Sequence, residues 1–159
     1  MQCKILLEQI GDKMKTDFDK VNEWLIQLFH DFMILEEQFL KDRETPDVTV
    51  KELQILTLIH ALGSCRATDI AKDQKLALST ITITLNRLEK KGYIRRTPSK
   101  VDRRVIFVGL EDKGNELCDQ HREFFSDITD SLFDSIYGTT ENKLEGELGN
   151  LHDSLENMK

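Results

Sequence analysis

The chain has 159 residues, 39% of them hydrophobic and 32% charged, with a formal net charge of −7, which suits one domain with a modest core and much solvated helix surface. No apolar run approaches the roughly 20 residues of a membrane span, and no basic start, apolar centre and cleavage site marks a signal peptide. Three scattered cysteines, Cys3, Cys65 and Cys118, form neither a CxxC pair nor a disulfide framework, so a cytoplasmic chain without a membrane partner is expected.

Residues 1–17 are weakly amphipathic, with Ile5, Leu6 and Ile10 before Gly11, and read as an N-terminal extension, either a short extra helix or a frayed arm. From Phe18 the pattern sharpens. Phe18, Val21, Leu25, Leu28, Phe32, Leu35 and Phe39 recur at three and four residues, which predicts a long helix with an apolar seam. Ile26, Phe29, Met33 and Leu40 widen that face, and Thr45-Pro46 ends it. Such a helix of about 22 residues, over roughly 30 Å long, cannot be hidden by a small domain and needs partners. A second helix opens at Thr49 or Val48, with Leu53, Leu56, Leu58, Ile59 and Leu62 as its core face, and stops at Gly63.

The stretch from Arg66 to Leu110 reads as a short helix, a tight turn, a second helix, and a two-stranded hairpin with an arginine-rich tip. That pattern is a winged helix-turn-helix, a module that reads duplex DNA. Within the second helix, residues 80–85 alternate Thr-Ile-Thr-Ile-Thr-Leu, a period of two that favours a strand. A wider window favours a helix, because Leu78, Ile81, Leu85 and Leu88 are spaced by three and four, and Gly92 follows Lys90-Lys91 as a stop. Opposite the stripe lie Ser79, Ile83, Asn86 and Lys90, flanked by Thr80, Thr82 and Arg87. Short hydroxyls, an amide and a guanidinium suit base edges and phosphates, and Ile83 suits thymine methyls. A solvated face with one stray isoleucine is the plainer alternative.

Charge separates the two. From Lys72 to Arg104 there are ten Lys or Arg against three Asp or Glu, a net of 10 − 3 = +7, so the remainder carries −7 − 7 = −14. A basic island on an acidic chain marks a localised polyanion site. Arg95 and Arg96 precede the hairpin tip; Lys100, Arg103 and Arg104 sit on it, suited to the minor groove. Asp102 is expected to orient Arg104. The chain then closes with a helix over 112–137, carrying Leu117, His121, Phe124, Phe125, Ile128, Leu132, Phe133 and Ile136. Gly138-Thr139-Thr140 makes a break, and a last helix repeats Leu144, Leu148, Leu151, Leu155 and Met158. Gly146 and Gly149 weaken that helix by about 1 kcal/mol each.

The expected architecture is mainly α with a small β-wing. Residues 18–44 and 112–159 form a helical dimerisation region, and 45–111 the DNA-binding domain. Packing the apolar end helices against a symmetry mate would hold two reading helices about 34–36 Å apart, on a pseudo-palindromic operator; a monomer with its long helices folded back is the alternative.

Thr68-x-Ile70-Ala71, Ser79-Thr80-Ile81-Thr82, Leu88-Glu89-Lys90-Lys91-Gly92-Tyr93-Ile94 and Asp102-Arg103-Arg104 before an alternating strand resemble the MarR family of bacterial regulators. The resemblance implies a homodimer whose second helix enters the major groove and whose wing reaches the flanking minor groove. It adds Thr68 to a double-stranded-DNA-binding set of Ser79, Thr80, Thr82, Ile83, Asn86, Arg87, Lys90, Arg95, Arg96, Lys100, Asp102, Arg103 and Arg104. Two departures bear on capping: Arg66 stands where the family often has Ser or Thr, and Leu110-Glu111 where it often has Leu-Thr. The family also implies an effector crevice between the dimer helices and the reading domain, here walled by Phe29, Phe32, Met33, Ile55, Ile59, Leu62 and Phe124. Ile34-Leu35-Glu36-Glu37, Val48-Thr49-Val50-Lys51-Glu52 and residues 78–86 are similar to FabT-type repressors of fatty-acid synthesis, which would imply acyl-loaded acyl carrier protein as corepressor.

Other chemistry is thin. His30, His60, His121 and His152 form no pair at metal-ligand spacing, so no metal and no cofactor are expected. Only Lys4 stands near Cys3 to stabilise a thiolate. No phosphate loop, nucleophile triad or carboxylate pair points to an enzyme. The remaining alternatives are a redox- or metal-responsive regulator of the same family and a protein-interaction adaptor on a winged-helix scaffold.

Overall fold

Helix α2 (Val50–Leu62) takes its start from a reciprocal cap. The Glu52 N–H donates to Thr49 Oγ1 at 3.2 Å, and the Thr49 N–H donates to Glu52 Oε2 at 3.0 Å, which satisfies two otherwise orphaned donors. Leu53, Leu56 and Ile59 are fully buried, and Gly63, at φ 73, ends the helix in a conformation that few residues other than glycine adopt. In the computed structural model, which describes residues 2–42, 47–135 and 141–158 (side chains for 18–42, 47–131 and 144–158), α2 is the centre of the core.

Around it lie α3 (Ala67–Asp73), α4 (Leu78–Lys90), a hairpin of β1 (Ile94–Pro98) and β2 (Ile106–Leu110), and the start of α5 (Asp112–Ser135). Ile70, Ile81, Leu85, Leu88, Tyr93, Ile94, Val108 and Leu117 complete one apolar cluster with α2. The strands are antiparallel, with Ile94 opposite Leu110, Arg96 opposite Val108 and Pro98 opposite Ile106. On its other edge β2 exchanges two backbone bonds with Cys65: the Val108 N–H donates to the Cys65 carbonyl at 2.7 Å, and the Cys65 N–H to the Val108 carbonyl at 3.1 Å. The architecture is mainly α with a two-stranded wing.

A second polar network ties α2 to the far end of α4. Lys91 Nζ donates to both Glu52 carboxylate oxygens, at 2.8 and 2.9 Å, and to the Asp47 carbonyl. Tyr93 donates its hydroxyl to Asp47 Oδ1 at 3.0 Å, and Lys113 Nζ lies 4.0 Å above the Tyr93 ring. Burial pushes the Glu52 carboxyl up, but hydrogen bonds from Lys91 and Thr49 outweigh it and hold the group below the ordinary carboxylate range. The Tyr93 phenol is pushed well up, by burial first and then by Asp47.

Helix α1 runs unbroken from Gln2 to Asp42, where a separate extension over 1–17 and a helix start at Phe18 were expected. Gly11 lies inside it: one glycine costs only about 1 kcal/mol in a helix interior. At 41 residues the helix is about 60 Å long. Its apolar seam meets little of its own chain. Phe39 and Leu40 are buried, whereas Phe18, Val21, Trp24, Leu25, Leu28 and Phe29 are exposed, Trp24 to 67%. Helix α6 (Glu141–Met158) likewise leaves Leu148, Leu151 and Leu155 exposed. The expected helix end at Thr45-Pro46 and the break at Gly138-Thr139-Thr140 lie outside the described residues, as does Ile136.

Candidate nucleic-acid interface

In α4 two local signals compete and burial decides. Ile81, Leu85 and Leu88 are fully buried, worth about 1.5–3 kcal/mol each, against a few tenths of a kcal/mol per residue for the poorer helix propensity of Thr and Ile. Leu78, expected in the same stripe, remains half-exposed. The threonines are accommodated through their own backbone: Thr82 Oγ1 donates to the Leu78 carbonyl at 2.7 Å and Thr84 Oγ1 to the Thr80 carbonyl at 3.1 Å. Each hydroxyl proton is thus committed, which leaves Thr82 to present a lone pair and a methyl group to an incoming ligand.

The opposite face is open. Ser79, Thr80, Thr82, Ile83, Asn86, Arg87 and Lys90 are all exposed, Ile83 to 54%. Thr68 is exposed on α3, its hydroxyl 3.5 Å from Asp69 Oδ1. Arg66 cannot accept a backbone proton, so Asp69 makes the cap alone. Its carboxylate takes the Arg66 N–H at 3.0 Å and the guanidinium at 2.9 Å, and those hydrogen bonds hold it below its ordinary range. Between the helices Lys75, at φ 50, makes the tight turn in a left-handed conformation.

The wing tip closes on itself. The Ser99 N–H donates to the Val105 carbonyl at 2.8 Å, and Ser99 Oγ accepts the Val101 N–H at 3.2 Å. Asp102 Oδ1 accepts the Arg104 backbone N–H at 2.9 Å. Asp102 was expected to orient Arg104; it fixes the Arg104 main chain, and no contact between the carboxylate and the Arg104 guanidinium is found among the described residues. Lys100, Arg103 and Arg104 are exposed and, with Arg87 and Lys90, make no ion pair among the described residues.

Three cations of the basic island are otherwise engaged. Lys91 serves Glu52, Arg96 donates to Glu89 Oε2 at 2.8 Å, and Arg95 lies 3.4 Å from Glu111 Oε2. Arg96–Glu89 fastens β1 to α4. The island's charge is thus narrower than a simple count suggests, and its unpaired part among the described residues sits on the outer face of α4, on the tip, and at Lys72 and Lys75 ahead of α4.

Three of the seven residues expected to wall an effector crevice line one groove. A groove of about 450 Å³ between α1 and α2 is lined by Phe29, Phe32 and Met33 as expected, together with Glu36, Glu37, Val50, Lys51, Gln54 and Phe125. Ile55 and Ile59 are instead core, and Leu62 is exposed away from it. Phe124 stands behind the groove, 5.2 Å from Phe39 and 5.6 Å from Phe125. His121 belongs to the same aromatic cluster. Burial holds its imidazole below the ordinary value despite Glu36, whose Oε1 lies 3.5 Å from Nε2 but outside hydrogen-bonding geometry.

This arrangement recurs in known proteins. The model of the MarR family matches residues 48–106. FabT of Streptococcus pneumoniae, solved in complex with DNA, is 30% identical over 89% of this chain and 99% of its own, with a TM-score of 0.80. The chain belongs to the MarR family. Two regulators of Bacillus subtilis are also similar. YwhA is 35% identical over 52% of this chain and 59% of its own length, and the repressor MdtR 33% identical over 53% and 54%. The chain thus spans little more than half of either relative. The matched MarR segment includes α2, α3, α4, β1 and the wing tip.

Proposed function

We propose that this MarR-family chain is a homodimeric, sequence-specific DNA-binding transcriptional regulator that acts as a repressor. One observation carries the reading: α4 buries Ile81, Leu85 and Leu88 completely while presenting Ser79, Ile83, Asn86, Arg87 and Lys90 to solvent. Its length and side chains suit the major groove, where Asn86 and Arg87 can make paired contacts to base edges. Unpaired Lys100, Arg103 and Arg104 suit the narrower groove alongside. On this reading residues 45–111 hold DNA, while 18–44 and 112–159 pair two copies through the bare seam of α1 and the exposed leucines of α6. Two reading heads imply a pseudo-palindromic site. The likeness to FabT favours an acyl chain, delivered by acyl carrier protein, as the occupant of the α1–α2 groove.

Selection of bound fragments from random DNA tests the proposal. A two-fold repeat with half-sites about one helical turn apart is expected. Asn86→Ala should relax base preference, and Arg104→Ala should weaken binding through the wing, each by about 1–3 kcal/mol. Affinity should fall steeply with salt as phosphate counterions are released. No enrichment even at low salt would leave the scaffold as an interaction adaptor.

A further inference from the structure

Val101 stands at the apex of the wing, between Lys100 and Asp102, and is 98% exposed, the barest large apolar side chain among the described residues. At that exposure it contributes nothing to the core. One bare valine is ordinary on a surface; this one sits among the cations that would face DNA. The backbone that carries it is fixed. Ser99 Oγ accepts the N–H of Val101 at 3.2 Å and that of Asp102 at 3.4 Å, while the Val105 N–H donates to the Asp102 carbonyl at 2.9 Å. The same bonds use the tip's side-chain acceptors, since Ser99 Oγ and Asp102 Oδ1 both take backbone N–H groups of the tip itself. What remains outward is of one kind. Lys100, Arg103 and Arg104 are exposed donors, and Val101 is a branched apolar group, stiff at χ1.

A tip of donors and methyl groups matches one minor-groove floor and not the other. A·T pairs present only acceptors there, adenine N3 and thymine O2, whereas G·C adds the guanine 2-amino donor. Beneath Val101 that amine would lose water and gain no partner, and a buried donor left without a bond is costly. We propose that Val101 is a specificity residue: it excludes G·C pairs from the operator flanks by leaving the guanine amine unpaired. This role rests on the DNA reading above, with the wing in the minor groove, and adds to it a reader without charge. Lys100, Arg103 and Arg104 attract the phosphates of any sequence; Val101 tests the floor between them.

Fluorescence anisotropy with the full chain tests the role on an operator selected from random DNA. The flanking pairs that hydroxyl-radical footprinting assigns to the wing are set to A·T, to G·C or to inosine·C. Inosine lacks the 2-amino group but keeps the major-groove edge of guanine. Wild type should bind A·T and inosine·C flanks within about twofold of each other, and G·C flanks about tenfold more weakly. Val101→Asn brings a carbonyl acceptor to the amine and should cut that penalty to about threefold or less, whereas Val101→Ile should keep it. Both variants should melt with the wild type, because the tip is closed by its own hydrogen bonds. Flanks left unprotected, equal binding of inosine·C and G·C by wild type, or a full penalty in Val101→Asn would each overturn the role while leaving DNA binding intact. Failure to select any operator would overturn the DNA reading and the role together.

Discussion

Replacing Lys91 with methionine keeps an apolar stem of similar length but strands the Glu52 carboxylate. The side chain of Glu52 is 6% exposed and that of Lys91 26%. Removing one partner of a fully buried pair costs about 3–5 kcal/mol. Here Thr49 still donates its N–H to Glu52 and Lys91 is a quarter exposed, so about 2–3 kcal/mol is expected for Lys91→Met. Urea unfolding at pH 7 and fixed protein concentration measures it. Adding Glu52→Gln should recover part of the loss, because the amide removes the stranded charge and keeps the cap. The pH dependence has a fixed sign. The folded state holds the Glu52 carboxyl below its ordinary value, so the stabilisation is complete above the ordinary carboxylate pKa and fades as pH falls through the depressed one. The gap between wild type and Lys91→Met should therefore be widest near neutrality and close in acid. A gap below about 0.5 kcal/mol at pH 7, or one that persists unchanged into acid, would refute the reasoning.

Gly114→Ala should destabilise by about 1–3 kcal/mol in thermal unfolding, although alanine is the better helix former, because its Cβ would fall 2.3 Å from the Tyr93 carbonyl oxygen; a neutral or stabilising result would contradict that contact. Leu25→Glu combined with Leu28→Glu, at positions bare in a single chain, should give a monomer in sedimentation while the circular dichroism stays helical; an intact dimer would remove α1 from the interface. Cys118 is pushed up to about 11 by burial and then by Asp119, and Cys65 is raised by burial and Asp69. Neither thiol should react with iodoacetamide at pH 8 until urea is added, as read by peptide mass spectrometry.

The winged-helix order was legible because its signals are local. The stripe of Ile81, Leu85 and Leu88, the helix start at Thr49 and the arginine-bearing hairpin each lie within a few residues. What escaped was long-range. Glu52 and Lys91 are 39 positions apart, and Asp47 and Tyr93 are 46 apart, so Lys91 read only as a cation at the helix stop and one of the basic island's ten. Close packing escaped for the same reason: nothing in the residues around Gly114 announces the carbonyl pressed against it. Of the seven residues named for the crevice only the three from α1 line the groove, because α2 carries apolar residues on more than one face. Periodicity could place Phe29, Phe32 and Met33 on one face of α1 and Ile59 on the core face of α2, but not decide that Ile55 joins the core, that Leu62 stays exposed, or that Val50 and Gln54 face the groove.

The wing has a clamped root and a self-contained tip. At the root, β2 is bonded to β1 on one side and to Cys65 on the other; from Ser99 to Val105, the tip is closed by hydrogen bonds among its own residues. Substitutions at Lys100, Val101 or Arg103 therefore have no route into the core. On the proposed reading of the wing, operator preference at the flanks can drift through these positions over evolutionary time, while the body that presents them stays as it is.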